Sequence, residues 1–190
     1  MSNDKWKMIR KENHMYSLRT KLTALLLLLT VTGVTQAFTP DREPDLPYGC
    51  ESLEVEIGHR LAYRSFAIGV QRYRWDGMAW VFVEPVATLY ADDQYHDKVG
   101  SHYGGPTWQA NGGGKVVATK IKECKPDPTS IPWLLLKATS NQGPGLFGAV
   151  SFIQRVNTKG GLAPIAPGPT IGALADVPYT TEYYFYRPRD

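Results

Sequence analysis

From residue 53 onward, apolar and polar side chains alternate in short runs, each closed by Gly, Pro, Asn or Asp. Alternation with a period of two is the mark of a half-buried strand. Leu53, Val55 and Ile57 alternate with Glu54 and Glu56 and predict a short first strand. Residues 61–73 predict a long one, with Phe66, Ile68 and Val70 on one face and Tyr63, Gln71 and Tyr73 on the other. Gly69 marks a break or bulge in it. Asp76-Gly77 is a hairpin signal leading into residues 80–90, where Trp80 and Phe82 oppose Val81 and Val83. Pro85 points to an edge or a bulge there.

Residues 92–98 read as a polar loop, 99–108 as a short Gly-rich stretch, and Asn111-Gly112-Gly113-Gly114 as a turn. Residues 115–121 predict a strand. Trp133-Leu134-Leu135-Leu136 is apolar on both faces and belongs in the core. Gly143-Pro144-Gly145 turns the chain, residues 146–156 alternate again, and 160–176 form a long Gly/Pro/Ala loop. Residues 179–186 close the chain, with Tyr183 and Phe185 on one face and Tyr184 and Tyr186 on the other; one of these pairs is expected to be exposed. No segment here keeps a helical period, and no repeat of fixed length occurs. Recurrent strands punctuated by turns predict an all-β fold, a single-domain antiparallel β-sandwich or barrel over residues 53–190. An extended lead-in, 38–52, with three prolines at 40, 44 and 47, precedes it.

Charge changes the picture at the amino end. The chain has 190 residues and a net charge of +3. Residues 1–37 hold six Lys/Arg against two acids, and the remainder holds 15 against 16. The excess of basic charge therefore sits entirely in a segment where an apolar run, 22–34, follows Arg19-Thr20-Lys21 and precedes Thr35-Gln36-Ala37. That is the layout of a cleaved secretory signal peptide, with translation starting at Met1 or Met15. The run is too short to cross about 30 Å of hydrocarbon. The reading is an exported protein, periplasmic or extracellular, with no stable membrane insertion after cleavage. A nearly neutral mature chain also removes the electrostatic case for nucleic acid. Oxidising surroundings make a Cys50–Cys124 disulfide one possibility and two separate thiols the other. Neither cysteine has the spacing of a metal site, so no metal is expected.

Several blocks occur in a characteristic order: Gly69-Val70-Gln71-x-Tyr73; Trp80-x-Phe82; Pro85-x-Ala87-x-Leu89; Val99-Gly100-x-His102-Tyr103-x-Gly105-Pro106-Thr107-Trp108; Ile131-Pro132-Trp133-Leu134-Leu135-Leu136; Ile153-Gln154-Arg155-Val156-Asn157-Thr158-x-Gly160-Gly161; and Val177-Pro178-Tyr179-Thr180-x-x-Tyr183-x-Phe185-Tyr186. From about Leu53 to Tyr186 the chain resembles the family known as domain of unknown function 3455, found in exported bacterial and fungal proteins. Members often carry a cysteine where this chain has Trp75, and another in the late loop where it runs Gly168-Pro169-Thr170. A bridge between those positions in relatives is not carried over to this chain. Some fungal relatives bear a malate dehydrogenase label, and the residues here argue against it. Gly143-Pro144-Gly145-Leu146-Phe147-Gly148 matches GxGxxG, but a strand-like sequence follows it and no acid lies about 20 residues on. No cofactor is expected.

The resemblance implies no activity, so the chemistry must come from the residues. His102, Tyr103 and Trp108 crowd an imidazole, a phenol and an indole into one Gly-rich loop, and Gln154, Arg155 and Asn157 form a second polar group. Alternation would put Arg155 and Asn157 on one face, where an Arg suits a carboxylate or sugar. It would equally suit carbonyls of the loop after Gly160. His102 can be a ligand-binding group or simply hydrogen-bonded to backbone. These six residues are the candidate ligand site of a non-catalytic binding module of the cell envelope or secretome, its partner a small molecule or glycan. The alternative is a small hydrolase or metal-dependent enzyme that couples His102 to Asp92, Asp93 or Asp97, or gathers His59, His96 and His102. Burial of His102 against backbone would remove the enzyme reading.

Overall fold

The computed structural model describes residues 42–189. Eight strands follow one another: β1 (His59–Trp75), β2 (Trp80–Tyr90), β3 (Lys98–Tyr103), β4 (Thr107–Ala110), β5 (Lys115–Cys124), β6 (Trp133–Gln142), β7 (Phe152–Gly160) and β8 (Leu174–Pro188). Each pairs antiparallel with the next, and β8 returns along nearly the whole of β1, so the sheet closes into a barrel rather than a sandwich. Closure leaves no edge strand. Pro85 therefore sits inside the sheet, opposite Gln71, beside a bulge that leaves Val83 as an extra residue of β2. The connections after β1, β3, β5 and β7 gather at one end, called upper below. Those after β2, β4 and β6 gather at the lower end. The expected leader, 1–37, lies outside the described residues.

The lumen of an eight-stranded barrel is just wide enough to be filled by side chains. Here β1 and β2 contribute small residues, Ser65, Ala67 and Ala87, and the bulky lumen residues come from β4 (Trp108) and from β8 (Tyr183 and Phe185), which pairs with β1. Gly69 leaves no room for a side chain, because a Cβ there would strike the Val86 carbonyl and Ala87. It is not a bulge; the extra residue of β1 is Ala62, between Leu61 and Tyr63, and the shift at Arg72 and Tyr73 comes from Val83 of β2. The more apolar face of β1 points outward, leaving Ile68 42% exposed.

A second core lies outside the barrel. Residues 42–55 cover the outer face of β6, β7 and β8, burying Leu53 against Leu135, Val156, Tyr184 and Tyr186. This is why Trp133-Leu134-Leu135-Leu136 is apolar on both faces, and why neither tyrosine pair of β8 is exposed. Residues 53–57 are not a strand. Glu51–Leu53 is a 3₁₀ turn, and Ile57 is fully exposed. Cys50, at the start of this turn, is disulfide-bonded to Cys124 at the end of β5, with Cα atoms 5.4 Å apart.

Two further segments differ from the pattern reading. Residues 99–108 are not a loop but the hairpin β3–β4. Leu146–Ala149 is a 3₁₀ turn that plugs the lower end with Phe147, and strand β7 begins only at Phe152. Asn141 Nδ2 holds the plug by donating to the carbonyls of Phe147 and Val150, at 2.7 and 3.0 Å. The glycines of GxGxxG serve this tight turn, since a Cβ on Gly148 would meet the Gly143 carbonyl. At the upper end, the long β7–β8 loop lies on two indoles. Trp80 Nε1 donates to the Ala166 carbonyl at 2.8 Å, and Gly168 rests directly on Trp75. The two positions at which this chain departs from the family pattern are thus neighbours.

Candidate functional site

Strand pairing brings three of the sequence-predicted residues into the upper lumen. His102 on β3 lies opposite both Ala87 and Trp108, and Arg155 on β7 lies opposite both Leu134 and Tyr183. The His102 ring stacks on Trp108, with centroids 4.2 Å apart and planes 16° apart. Tyr183 meets both rings edge-on, at 5.2 and 5.4 Å.

His102 is 3% exposed, and its Nδ1 lies 2.9 Å from the Thr107 carbonyl. A carbonyl only accepts, so Nδ1 carries the hydrogen and Nε2 keeps its lone pair. Burial pulls the imidazole pKa down to about 3; the Thr107 carbonyl opposes this in part, and the Arg155 charge adds to it. The ring is neutral at physiological pH. Asp92, Asp93 and Asp97 belong to the β2–β3 connection at the lower end, away from His102 at the upper end of β3. His96 pairs there with Asp92 at 3.4 Å, and His59 Nδ1 lies 3.2 Å from the Glu56 carbonyl. Each imidazole is thus engaged locally, and among the described residues no group of three His, Cys, Asp or Glu is placed to hold a metal ion.

Arg155 Nε and Nη2 both donate to the Pro132 carbonyl, at 3.2 and 2.7 Å. The carbonyl belongs to the β5–β6 connection, not to the loop after Gly160. Among the described residues no carboxylate forms an ion pair with Arg155.

Beside Arg155 lies a cavity of about 110 Å³, with Gln71, His102, Trp108, Lys120 and Tyr183 among its walls and no acidic residue. Lys120 is paired with Glu123 at 2.5 Å. Gln71 Nε2, Trp108 Nε1 and Tyr183 Oη are buried, and none has a hydrogen-bond partner among the described residues. The Tyr179 hydroxyl, next to Gln71 and Tyr183, is likewise unpartnered. Tyr179 lies near Tyr183 and Gln71, and Tyr183 near Arg155, close enough for polar contact to shift the ionisation of both phenols, but none of these pairs reaches hydrogen-bond geometry. Burial holds the Tyr183 phenol well above its ordinary pKa, so its hydroxyl keeps its proton. Above the cavity, Tyr73 Oη donates to the Gly161 carbonyl at 2.6 Å, and Ile131 packs with Tyr179 and Leu162.

The other three predicted residues lie elsewhere. Tyr103 points out of the barrel and donates its hydroxyl to Gln109 Oε1 at 2.7 Å. Gln154 belongs to the outer core, where its Nε2 donates to the Leu53 carbonyl at 2.7 Å and its Oε1 accepts from Tyr186 at 2.6 Å. Asn157 does not share a face with Arg155. Its backbone is left-handed (φ 53°), and a register shift between Val156 and Lys159 turns it outward. It lines a broader outer groove of about 560 Å³ with Arg64 and Glu182. The polar groups at the centre of that groove satisfy one another. Glu182 accepts from Arg64 at 2.7 Å, from Tyr184 Oη at 2.9 Å and from Asn157 Nδ2 at 3.0 Å. The smaller cavity is the one with unspent hydrogen-bonding capacity.

Gln71 and Tyr183 are the site residues that the pattern did not single out. Gln71 carried one usable signal, an amide on the aromatic parity of a strand. Tyr183 reads as core, which is correct for its ring and silent about its hydroxyl. No curated protein and no solved structure shows a significant match to the chain. Residues 57–187 match the model of the family described as protein of unknown function (DUF3455), and the chain belongs to that family.

Proposed function

We propose that this protein is a non-catalytic binding module that takes a small molecule into the upper lumen of its barrel, between Arg155, Gln71, Trp108 and Tyr183. One observation carries the reading: buried polar atoms without partners border a cavity. A buried polar group left unsatisfied costs about 1–3 kcal/mol, and native proteins keep few of them. Several around one space are accounted for if a ligand supplies their partners. A cavity of about 110 Å³ suits a small molecule and is too small for a glycan. Catalysis by His102 has little support, because the ring is buried, neutral and hydrogen-bonded to backbone. The proposal places the module outside the cytoplasm, on the strength of the charged and apolar amino-terminal segment. Strands β3 and β4, at six and four residues, are shorter than the roughly nine to eleven that a membrane-spanning strand needs.

The test is a fragment screen followed by the indole N–H resonance of Trp108, assigned with Trp108→Phe. Binding in the lumen shifts that resonance together with the amides of the β3–β4 hairpin. Fragments that move only residues around Asn157 and Arg64 would overturn the proposal.

A further inference from the structure

We infer that the lumen ligand is a small carboxylate with an apolar body, its carboxylate held by Arg155 and its body enclosed by Phe82, Pro85, Pro106, Leu134 and Leu136. The inference rests on the lumen being a ligand site and adds the chemistry of its occupant. The groups left over are chiefly donors. Trp108 Nε1 can only donate, Gln71 Nε2 is buried without an acceptor, and the Tyr183 hydroxyl keeps its proton. Arg155 brings a full positive charge, and the two bonds to the Pro132 carbonyl do not neutralise it. The second cation at the wall, Lys120, already has Glu123. Among the described residues no acid lines the space. A cluster of donors around an unpaired guanidinium is complementary to an oxyanion, and the planar fork of Arg matches a carboxylate.

The remaining walls are carbon, so a bare inorganic anion would leave most of the cavity without a counterpart. The volume, about 110 Å³, is of the same order as the ~150 Å³ engineered cavity that takes up benzene. Being smaller than that cavity, the space takes a short chain behind the carboxylate, or a ring that extends past the exposed Phe82 and Pro106. His102 is a neutral ring, so it adds no negative charge to the wall, and its Nε2 acceptor suits the side of the cavity away from the carboxylate.

Benzoate, benzamide and inorganic phosphate separate the possibilities, titrated calorimetrically into protein made from the full chain while the Trp108 indole signal is followed. Benzoate is expected to bind at least tenfold more tightly than benzamide, which has the same shape without the charge, and more tightly than phosphate. Arg155→Gln should weaken benzoate at least tenfold and benzamide by much less, so that the two bind with similar affinity. Because the comparison of ligands uses the unaltered protein, it stands even if the variant does not fold. Equal affinities for benzoate and benzamide, with the indole shifted by both, would overturn the carboxylate assignment and leave the lumen site intact. Tighter binding of phosphate would overturn it too. If no probe moves the indole although the fragment library does, this inference alone fails; if the library also fails, so does the lumen site.

Discussion

Moving two to four residues along a strand changes the character of the lumen. Toward the lower end, β7 offers Ile153, β8 offers Phe185 and β2 offers Leu89, and they pack with Phe147, Val116 and Val150. Toward the upper end the same strands offer Arg155, Tyr183 and Pro85, beside Gln71 and His102. The lower half is largely hydrocarbon in contact with hydrocarbon, with Arg187 Nε buried at the lower end of β8 and without a hydrogen-bond partner among the described residues. The upper half holds a charge, a neutral imidazole and several unspent donors. A closed barrel makes this division possible, since every strand crosses both halves and neither has a free edge to protect. Stability can therefore reside in one half and ligand chemistry in the other, with Trp108 and Tyr183 at the junction.

The largest effect should come from the lower half. Phe185 is fully buried, and Phe147 and Tyr63 lie against it at 4.7 and 6.3 Å between ring centroids. Phe185→Ala should cost about 3–5 kcal/mol in urea unfolding, the usual loss for a buried ring that leaves a cavity. A loss under about 1 kcal/mol would show that the two halves do not differ as described.

Acid should test the upper half. In the folded state His102 titrates at about 3, against about 6.5 when unfolded. Below pH 6.5 the unfolded chain binds a proton that the folded chain refuses, so stability is complete above that pH and falls as the pH drops toward 3. The slope is about 1.4 kcal/mol per pH unit, or about 2 kcal/mol lost by pH 5. His102→Gln should flatten the profile between pH 6.5 and 3. An unchanged slope would mean that other groups produce the acid sensitivity.

Much of the fold was legible because strand signals are local. Asp76-Gly77 gives the β1–β2 hairpin, and β2 runs from Trp80 to Tyr90 as the alternation predicts. Which face turns inward is not local. Alternation separates Phe66, Ile68 and Val70 from Gln71 and Tyr73, but only closure of β8 onto β1 decides that the amide and the phenol face the lumen. Residues 53–57 alternate like a strand and yet find no strand to pair with. The site was half legible for similar reasons. His102, Trp108 and Arg155 stand in regular strands, so their parity is preserved. Asn157 is itself left-handed and lies within a register shift, which parity cannot foresee. Gln71 came to the site only through the barrel's closure.

The smallest effects sharpen the comparison most, because they involve the same atom in two settings. Tyr186 and Tyr183 are both buried on β8, one in the outer core and one in the lumen. Tyr186 Oη donates to Gln154 Oε1 at 2.6 Å. Tyr186→Phe removes that donor, leaves the Gln154 oxygen buried and unpaired, and should cost about 1–2 kcal/mol. Tyr183 Oη has no hydrogen-bond partner among the described residues. Tyr183→Phe therefore breaks no bond and relieves a buried hydroxyl, so the ligand-free protein should be unchanged or more stable by up to about 1 kcal/mol. The loss should surface only with ligand present, as weaker binding of benzoate measured by calorimetry. If Tyr183→Phe instead destabilises the free protein as much as Tyr186→Phe, the Tyr183 hydroxyl is part of the core's own hydrogen bonding, and the division between a structural and a binding half would have to be drawn above it.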